Sequence, residues 1–250
     1  MLRAEGLQKH FGALAVTRDL SLQVAAGTRH AIIGPNGAGK TTLFNLLAGG
    51  LTPSAGRIYI DNHDVTHTSI DGRARRGLAR SFQKNNLFAT RTVRSNLLLG
   101  DIAGHGYGHR LWPRLSQLRA AHERVEMLAG QVGLSEVLEQ RVSALSYGTQ
   151  RQLEVGLTLM GRPRILLLDE PTSGMSPEET ARMLALIDAL PRELAVLIIE
   201  HDMDLVFAHA DRITVLNYGS VLMEGTPDEV RASQLVHDTY LGDGNNHQDL

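Results

Sequence analysis

The chain has 250 residues, a formal net charge of −2 at pH 7, 42% hydrophobic and 21% charged residues, and no cysteine. That balance belongs to an ordinary globular protein; the missing cysteines exclude disulfides, thiolate zinc sites and cysteine nucleophiles, and the mild acidity offers no broad basic footprint for nucleic acid. The longest apolar run, Leu194 to Ile199, falls far short of the roughly 20 residues that cross a bilayer as a helix. Residues 1–6 carry no apolar signal core, so the expectation is a cytoplasmic chain that is not integral to a membrane.

The first 60 residues read as short strands with tight turns, among them Ser21 to Val24 and Arg29 to Ile33. Helical spacing begins at Lys40 and continues to Leu47, and Gly56 to Asn62 reads as a strand closed by an Asp-Asn turn. The arginines at 73, 75, 76 and 80 read as a solvated helix face. Composition changes near residue 84. Helix patterns follow at Val93 to Leu99, Leu115 to Val132 and Gln150 to Met160, with a glycine- and histidine-rich loop over 104–109. There His105 and His109 have metal-compatible spacing, but a glycine-flanked mobile loop is the plainer reading.

Beyond Pro163, apolar strands at 165–168, 195–199 and 212–216 alternate with helices at 177–190 and 203–209. That alternation predicts a parallel sheet with crossover helices. The fold class expected is therefore α/β, a P-loop core with an N-terminal antiparallel β region and an inserted α-helical subdomain. Its expected organisation is a core of 1–84 and 161–241, a helical subdomain of 85–160, and a flexible tail of 242–250.

Gly34-Pro35-Asn36-Gly37-Ala38-Gly39-Lys40-Thr41 matches G-x-x-x-x-G-K-[ST] at every specified position. Glycines let the backbone curl until successive N–H groups converge on phosphate oxygens, and the positive end of the following helix faces the same anion. Lys40 then reaches the β- and γ-phosphates, and the Thr41 hydroxyl suits Mg²⁺. By itself this motif does not separate kinase, GTPase and transporter.

Ile165 to Leu168 is apolar on both faces, as suits a central parallel strand, and it ends in Asp169 and Glu170. Ligands sit at the carboxyl ends of such strands, where Asp169 would hold Mg²⁺ directly or through water and Glu170 would orient or deprotonate the attacking water. Leu145-Ser146-Tyr147-Gly148-Thr149-Gln150 precedes a helix, with serine and glycine supplying a cap and exposed N–H groups. Taken alone, this segment is an ordinary N-cap.

The phosphate loop, the Leu-Ser-x-Gly segment and Leu167-Leu168-Asp169-Glu170-Pro171-Thr172, in that order, resemble the ATP-binding cassette of ABC transporters over nearly the whole chain. The resemblance implies a head-to-tail dimer, with an identical or paralogous cassette, that sandwiches two ATPs. In it Ser146 and Gly148 contact the γ-phosphate on the partner's phosphate loop, and the nucleotide contacts extend to Thr42. It further implies that Phe11 stacks on adenine, that Gln83 links Mg²⁺ and water to the helical subdomain, and that His201 contacts the γ-phosphate. Thr149 stands where the family often has glutamine or glutamate, and Ser176 where an aspartate often crosses the dimer interface; both departures bear on contacts between the two halves.

Within the family, Leu-Ser-Tyr-Gly followed by Gln150-Arg151, the run Ile199 to Met203, Glu224 to Pro227 and Tyr240 to Gly242 resemble importers of branched-chain and other hydrophobic amino acids. Urea-type importers and lipopolysaccharide-export cassettes share parts of that set. The partners so implied are membrane permease subunits and, indirectly, a solute-binding protein. Leu87 and Phe88, as apolar groups that mark an interface, are expected near the groove that accepts a permease helix, with plain core packing as the alternative reading. The implied location is peripheral, on the inner face of the cell membrane. A soluble ABC protein acting on ribosomes or DNA fits poorly, since the chain has one cassette and no heptad run, and a small-molecule kinase leaves the 145–150 segment and Glu170 unexplained.

Overall fold

The structure is a computed structural model that describes residues 1–81, 87–104 and 115–241. Gln83, the 105–109 segment with His105 and His109, and the 242–250 tail lie outside the described residues. In chain order the elements are β1 (Leu2–Phe11), β2 (Leu14–Val24), β3 (Arg29–Ile33), α1 (Lys40–Ala48), β4 (Ala55–Ile60), β5 (His63–Asp64), α2 (Ile70–Arg75) and β6 (Leu78–Arg80). Helices α3 (Val93–Gly104), α4 (Leu115–Gln131) and α5 (Tyr147–Met160) follow, then β7 (Ile165–Asp169), α6 (Pro177–Asp188), β8 (Ala195–Ile199) and α7 (Met203–His209). The hairpin β9 (Arg212–Asn217) and β10 (Ser220–Gly225) precedes α8 (Pro227–Arg231) and α9 (Gln234–Leu241).

Among the described residues the strands form a four-stranded antiparallel sheet, β2-β1-β4-β5, and a six-stranded sheet, β10-β9-β3-β8-β7-β6. In the second, β9, β3, β8, β7 and β6 run parallel and β10 pairs antiparallel to β9. Register is set by burial on both faces. Ile165 and Leu167 join the core under the antiparallel sheet and α1, whereas Leu166 and Leu168 join the core made with α3, α4, α5 and α6. Strand β8 divides likewise, Leu197 and Ile199 to one side, Val196 and Ile198 to the other. Each such side chain removed from water contributes roughly 1.5–3 kcal/mol, so slippage by one residue is strongly disfavoured.

Two expectations need correction. The N-terminal strands are long, at 10 and 11 residues, not short. Their pairing shifts register between Ala4 and Leu7 and again near Lys9, with Gly6 and Asp19 in left-handed conformations. Such bulges break the two-residue alternation by which a strand is recognised in sequence.

The arginine run is not one solvated face. Arg75 and Arg76 are exposed, but Arg73 is fully buried. Its guanidinium donates to the carbonyls of Leu46, Leu47, Thr66 and Thr68 at 2.5–3.1 Å. It thereby serves the carbonyl-rich end of α1, where the helix dipole favours a cation. Burial lowers its pKa to about 10, which leaves it charged at neutral pH.

The neighbouring strand β3 carries His30, buried, with Nε2 2.7 Å from Thr214 Oγ1. Burial disfavours the imidazolium and pushes its pKa down from 6.5 to about 4. The unfolded chain therefore binds this proton at a higher pH than the folded one does. Stability from the neutral ring is complete above about pH 6.5 and declines towards pH 4, by up to about 3 kcal/mol. In His30→Gln, the fall of urea-unfolding free energy between pH 7 and 4 should be shallower by up to one proton. An unchanged pH slope contradicts this.

Candidate functional site

Strand β3 delivers a turn that only small residues can make. A Cβ on Gly34 would lie 2.4 Å from the Leu216 carbonyl oxygen, and one on Gly39 2.9 Å from that of Val16. Gly37 and Gly39 hold φ of 81° and 98°, and at Gly37 nothing lies within 4 Å of the Cβ position. The loop is thus pressed against β9 and β2 behind and open in front. Ala38 is buried, Asn36 exposed and Pro35 half-buried. Lys40 opens α1 and folds back over the loop, its Nζ donating to the carbonyls of Gly34 (2.5 Å) and Pro35 (3.1 Å). Burial lowers the Lys40 pKa, and the nearby carboxylates of Glu170 and Asp169 oppose that shift. Thr41 is exposed and Thr42 half-buried on the first turn of α1.

Asp169 ends β7 and is 3% exposed. Its Oδ2 accepts from Arg80 Nη2 at 2.8 Å, and Arg80 Nη1 donates to Asn45 Oδ1 on α1 at 2.7 Å. Arg80 therefore ties the helix behind the phosphate loop to the acid. The other oxygen, Oδ1, is buried with no hydrogen-bond partner. An orphaned carboxylate oxygen, on an acid near enough to Lys40 to act on its charge, is the hard-oxygen donor that Mg²⁺ takes. Among the described residues no cluster of three or more acids and histidines gathers for a metal, so a cation here would complete its shell with hydroxyl, water and phosphate oxygens. Glu170 is held at φ 48°, a left-handed conformation uncommon outside glycine, while its N–H donates to the Ile199 carbonyl at 3.0 Å. That twist turns Glu170 out of the strand direction, away from the course of Asp169.

Between these two loops, β8 contributes Glu200 and His201. Glu200 is buried; its Oε1 accepts from the Thr172 hydroxyl (2.6 Å) and amide (3.3 Å), and its Oε2 from the His201 amide (3.3 Å). Burial pushes the Glu200 carboxyl up, against those hydrogen bonds. The His201 side chain is 63% exposed.

Lys40, Thr41, Asp169, Glu170 and His201 thus stand at the carboxyl ends of adjacent parallel strands. Phe11 lies half-exposed at the tip of the β1–β2 hairpin, beneath the Lys9 ammonium, and the backbone of β2 in that hairpin backs Gly39. Ser146 and Gly148 are placed elsewhere. Helix α5 begins at Tyr147, earlier than expected, with Ser146 as its cap, and both residues contact Glu179 of α6. Ser176 caps α6 through a reciprocal pair with Glu179. Arg80, Glu200 and Glu179 were not singled out as site residues. A cation just before the Ser81–Gln83 segment, and an acid directly after an apolar strand, were the available signals for the first two. Removing the Arg80 guanidinium leaves a buried carboxylate without its cation. Arg80→Ala should therefore cost about 2–3 kcal/mol in denaturant unfolding without divalent cations, whereas a loss under about 0.5 kcal/mol contradicts this pairing.

Residues 17–173 match the family model described as ABC transporter. The chain is 38% identical over 253 residues to the high-affinity branched-chain amino acid transport ATP-binding protein BraF of Pseudomonas aeruginosa, spanning 97% of this chain and 98% of that one. It is equally similar, over the same shares, to the corresponding protein LivG of Salmonella typhimurium. A solved ATP-binding cassette of an ABC transporter, in its ADP conformation, superposes with a TM-score of 0.85 at 29% identity, covering 97% of this chain and 98% of that one. With its phosphate loop, strand-end acids and capped signature helix, the chain belongs to the ABC transporter family and is an ATP-hydrolysing cassette of it.

Proposed function

We propose that this cassette closes head to tail on a second one, identical or paralogous, around Mg-ATP, and energises import of a branched-chain or other hydrophobic amino acid through separate membrane subunits. The observation that carries the chemistry is the gathering of Lys40, Asp169 and Glu170 at neighbouring strand ends, close enough that both carboxylates act on the Lys40 pKa. The amino-acid assignment rests on BraF and LivG, which match the chain nearly end to end.

In this scheme the amides of 34–39, with Lys40 released from the Gly34 and Pro35 carbonyls, hold the β- and γ-phosphates, and Thr41 and Thr42 complete the cradle. Phe11 stacks on the adenine. Asp169 Oδ1, the Thr41 hydroxyl and Gln83 would hold Mg²⁺, which would supply charge neutralisation for the phosphates. Glu170 takes the proton of the attacking water, and His201 donates a hydrogen bond to the γ-phosphate. Ser146 and Gly148 meet the nucleotide held by the other cassette.

We assign the nucleotide core to 1–84 and 161–241 and the helical, signature-bearing unit to 85–160. No helix among the described residues is long and apolar enough to cross a membrane, so the translocation path would belong to other chains. In this reading the cassette docks at the cytoplasmic face of the membrane, with a solute-binding protein acting one subunit away. The Phe88 ring is 57% exposed, while its backbone is clamped by the buried Asn96 of α3, which bonds both its N–H (2.9 Å) and its carbonyl (3.2 Å). A rigidly presented apolar ring suits a permease helix. Leu87 instead packs partly into the core with α3 and α5.

Glu170→Gln should retain ATP binding and lower phosphate release by about 100-fold or more; release at the wild-type rate removes Glu170 from this role. Phe88→Asp should release the cassette from membranes that contain its permease while leaving ATP binding intact. Undiminished membrane association sinks the docking assignment.

A further inference from the structure

Ser146 and Gly148 present a hydroxyl and a helix amide towards one point, and an anion already sits there. Glu179 Oε1 accepts from Ser146 Oγ at 2.7 Å and from the Gly148 amide at 3.0 Å, while Oε2 accepts from the Ser176 amide at 3.2 Å. A Cβ on Gly148 would fall 2.5 Å from Glu179 Cδ, so the carboxyl group lies directly against the glycine backbone. An acidic oxygen held by a serine hydroxyl and an amide in the first turn of a helix reproduces the way a phosphate oxygen is received. The Ser146 hydroxyl and the Ser176 and Gly148 amides hold the Glu179 carboxyl below its ordinary pKa, so it is an anion at neutral pH.

The placement is supplied by local structure. Glu179 is the third residue of α6 and forms a capping box with Ser176. The short loop from β7 to α6 therefore fixes the carboxylate in front of α5, and little side-chain freedom remains to be lost when it binds there. Ser176 stands where many family members carry an aspartate; here its amide and hydroxyl serve α6 and the two acids that follow it.

We propose that Glu179 is an internal anionic occupant of the Ser146–Gly148 site, which the γ-phosphate carried by the second cassette must displace before the two close. The proposal rests on Ser146 and Gly148 receiving that phosphate in the closed dimer. Two anions cannot share one hydroxyl and one amide, and their mutual repulsion adds to the competition. Glu179 thereby sets how much ATP is needed for closure without touching the nucleotide bound to its own phosphate loop. In the free chain it also keeps the start of α5 satisfied.

The test is ATP-driven dimerisation in the Glu170→Gln background, followed by analytical ultracentrifugation across an ATP titration, with monomer affinity measured separately using a fluorescent ATP analogue. Glu179→Gln keeps the length and capping box of α6 and removes the charge; Glu179→Ala removes both. Both variants should dimerise at an ATP concentration about three- to tenfold lower, with monomer affinity for the analogue unchanged. An unchanged or raised midpoint for Glu179→Gln, in a chain that does dimerise, overturns the role of Glu179 alone. If the Glu170→Gln chain binds the analogue yet never dimerises with ATP, the head-to-tail arrangement fails, and the Glu179 proposal fails with it.

Discussion

Parallel pairing of β3 with β8, and of β8 with β7, is the constraint on which the site depends. Ile32 pairs with Ile199, and so does Asp169, so three segments leave the sheet at one level. The phosphate loop, the Asp169–Glu170 pair and the Glu200–His201 pair are brought together by this register. What holds the register is burial: β7 and β8 are sealed on both faces by two separate hydrophobic clusters, and a slip by one residue would turn Asp169 to the opposite face. The helices on one side and the antiparallel sheet on the other thus act on the chemistry through the strands they cover.

The charged groups of the site are each tied to a partner on the loop or a neighbouring element. Lys40 is bonded to carbonyls of its own loop, Arg80 neutralises Asp169, and Glu179 occupies the start of α5. Each contact is modest and reversible in energy, and each partner lies on a neighbouring element. Arg80 joins α1 to β7, Glu200 joins the loop after β7 to that after β8, and Glu179 joins α6 to α5. Exchanging one of these partners for a ligand atom changes the tie between two elements.

Much of this was legible in the sequence because it is written in short-range chemistry. A loop of closely spaced glycines before a lysine has few structural solutions, and a strand apolar on both faces that ends in acids has a natural place in the centre of a parallel sheet. Spacing alone carried the crossover helices after Pro163, while the motif order and the resemblance to the family carried the signature segment. Long-range partners were not legible. Arg73 and Arg80 read as part of a solvated basic run because nothing local distinguishes a guanidinium that finds helix carbonyls or an aspartate far along the chain. The N-terminal strands read as short because the bulges in the β1–β2 pair break the alternation. Glu179 lies in the first turn of α6; that its Oε1 reaches Gly148, 31 positions away, requires the fold.

The central claim is that residues 34–41 form the triphosphate cradle and that Lys40 supplies its principal cation. Equilibrium titration of the wild-type chain and Lys40→Ala with a fluorescent ATP analogue, in the presence of Mg²⁺ and with matched circular dichroism, tests it most directly. Expected is saturable binding by the wild type and affinity weakened by about tenfold or more in the variant. Equal affinity in two equally folded proteins would contradict it.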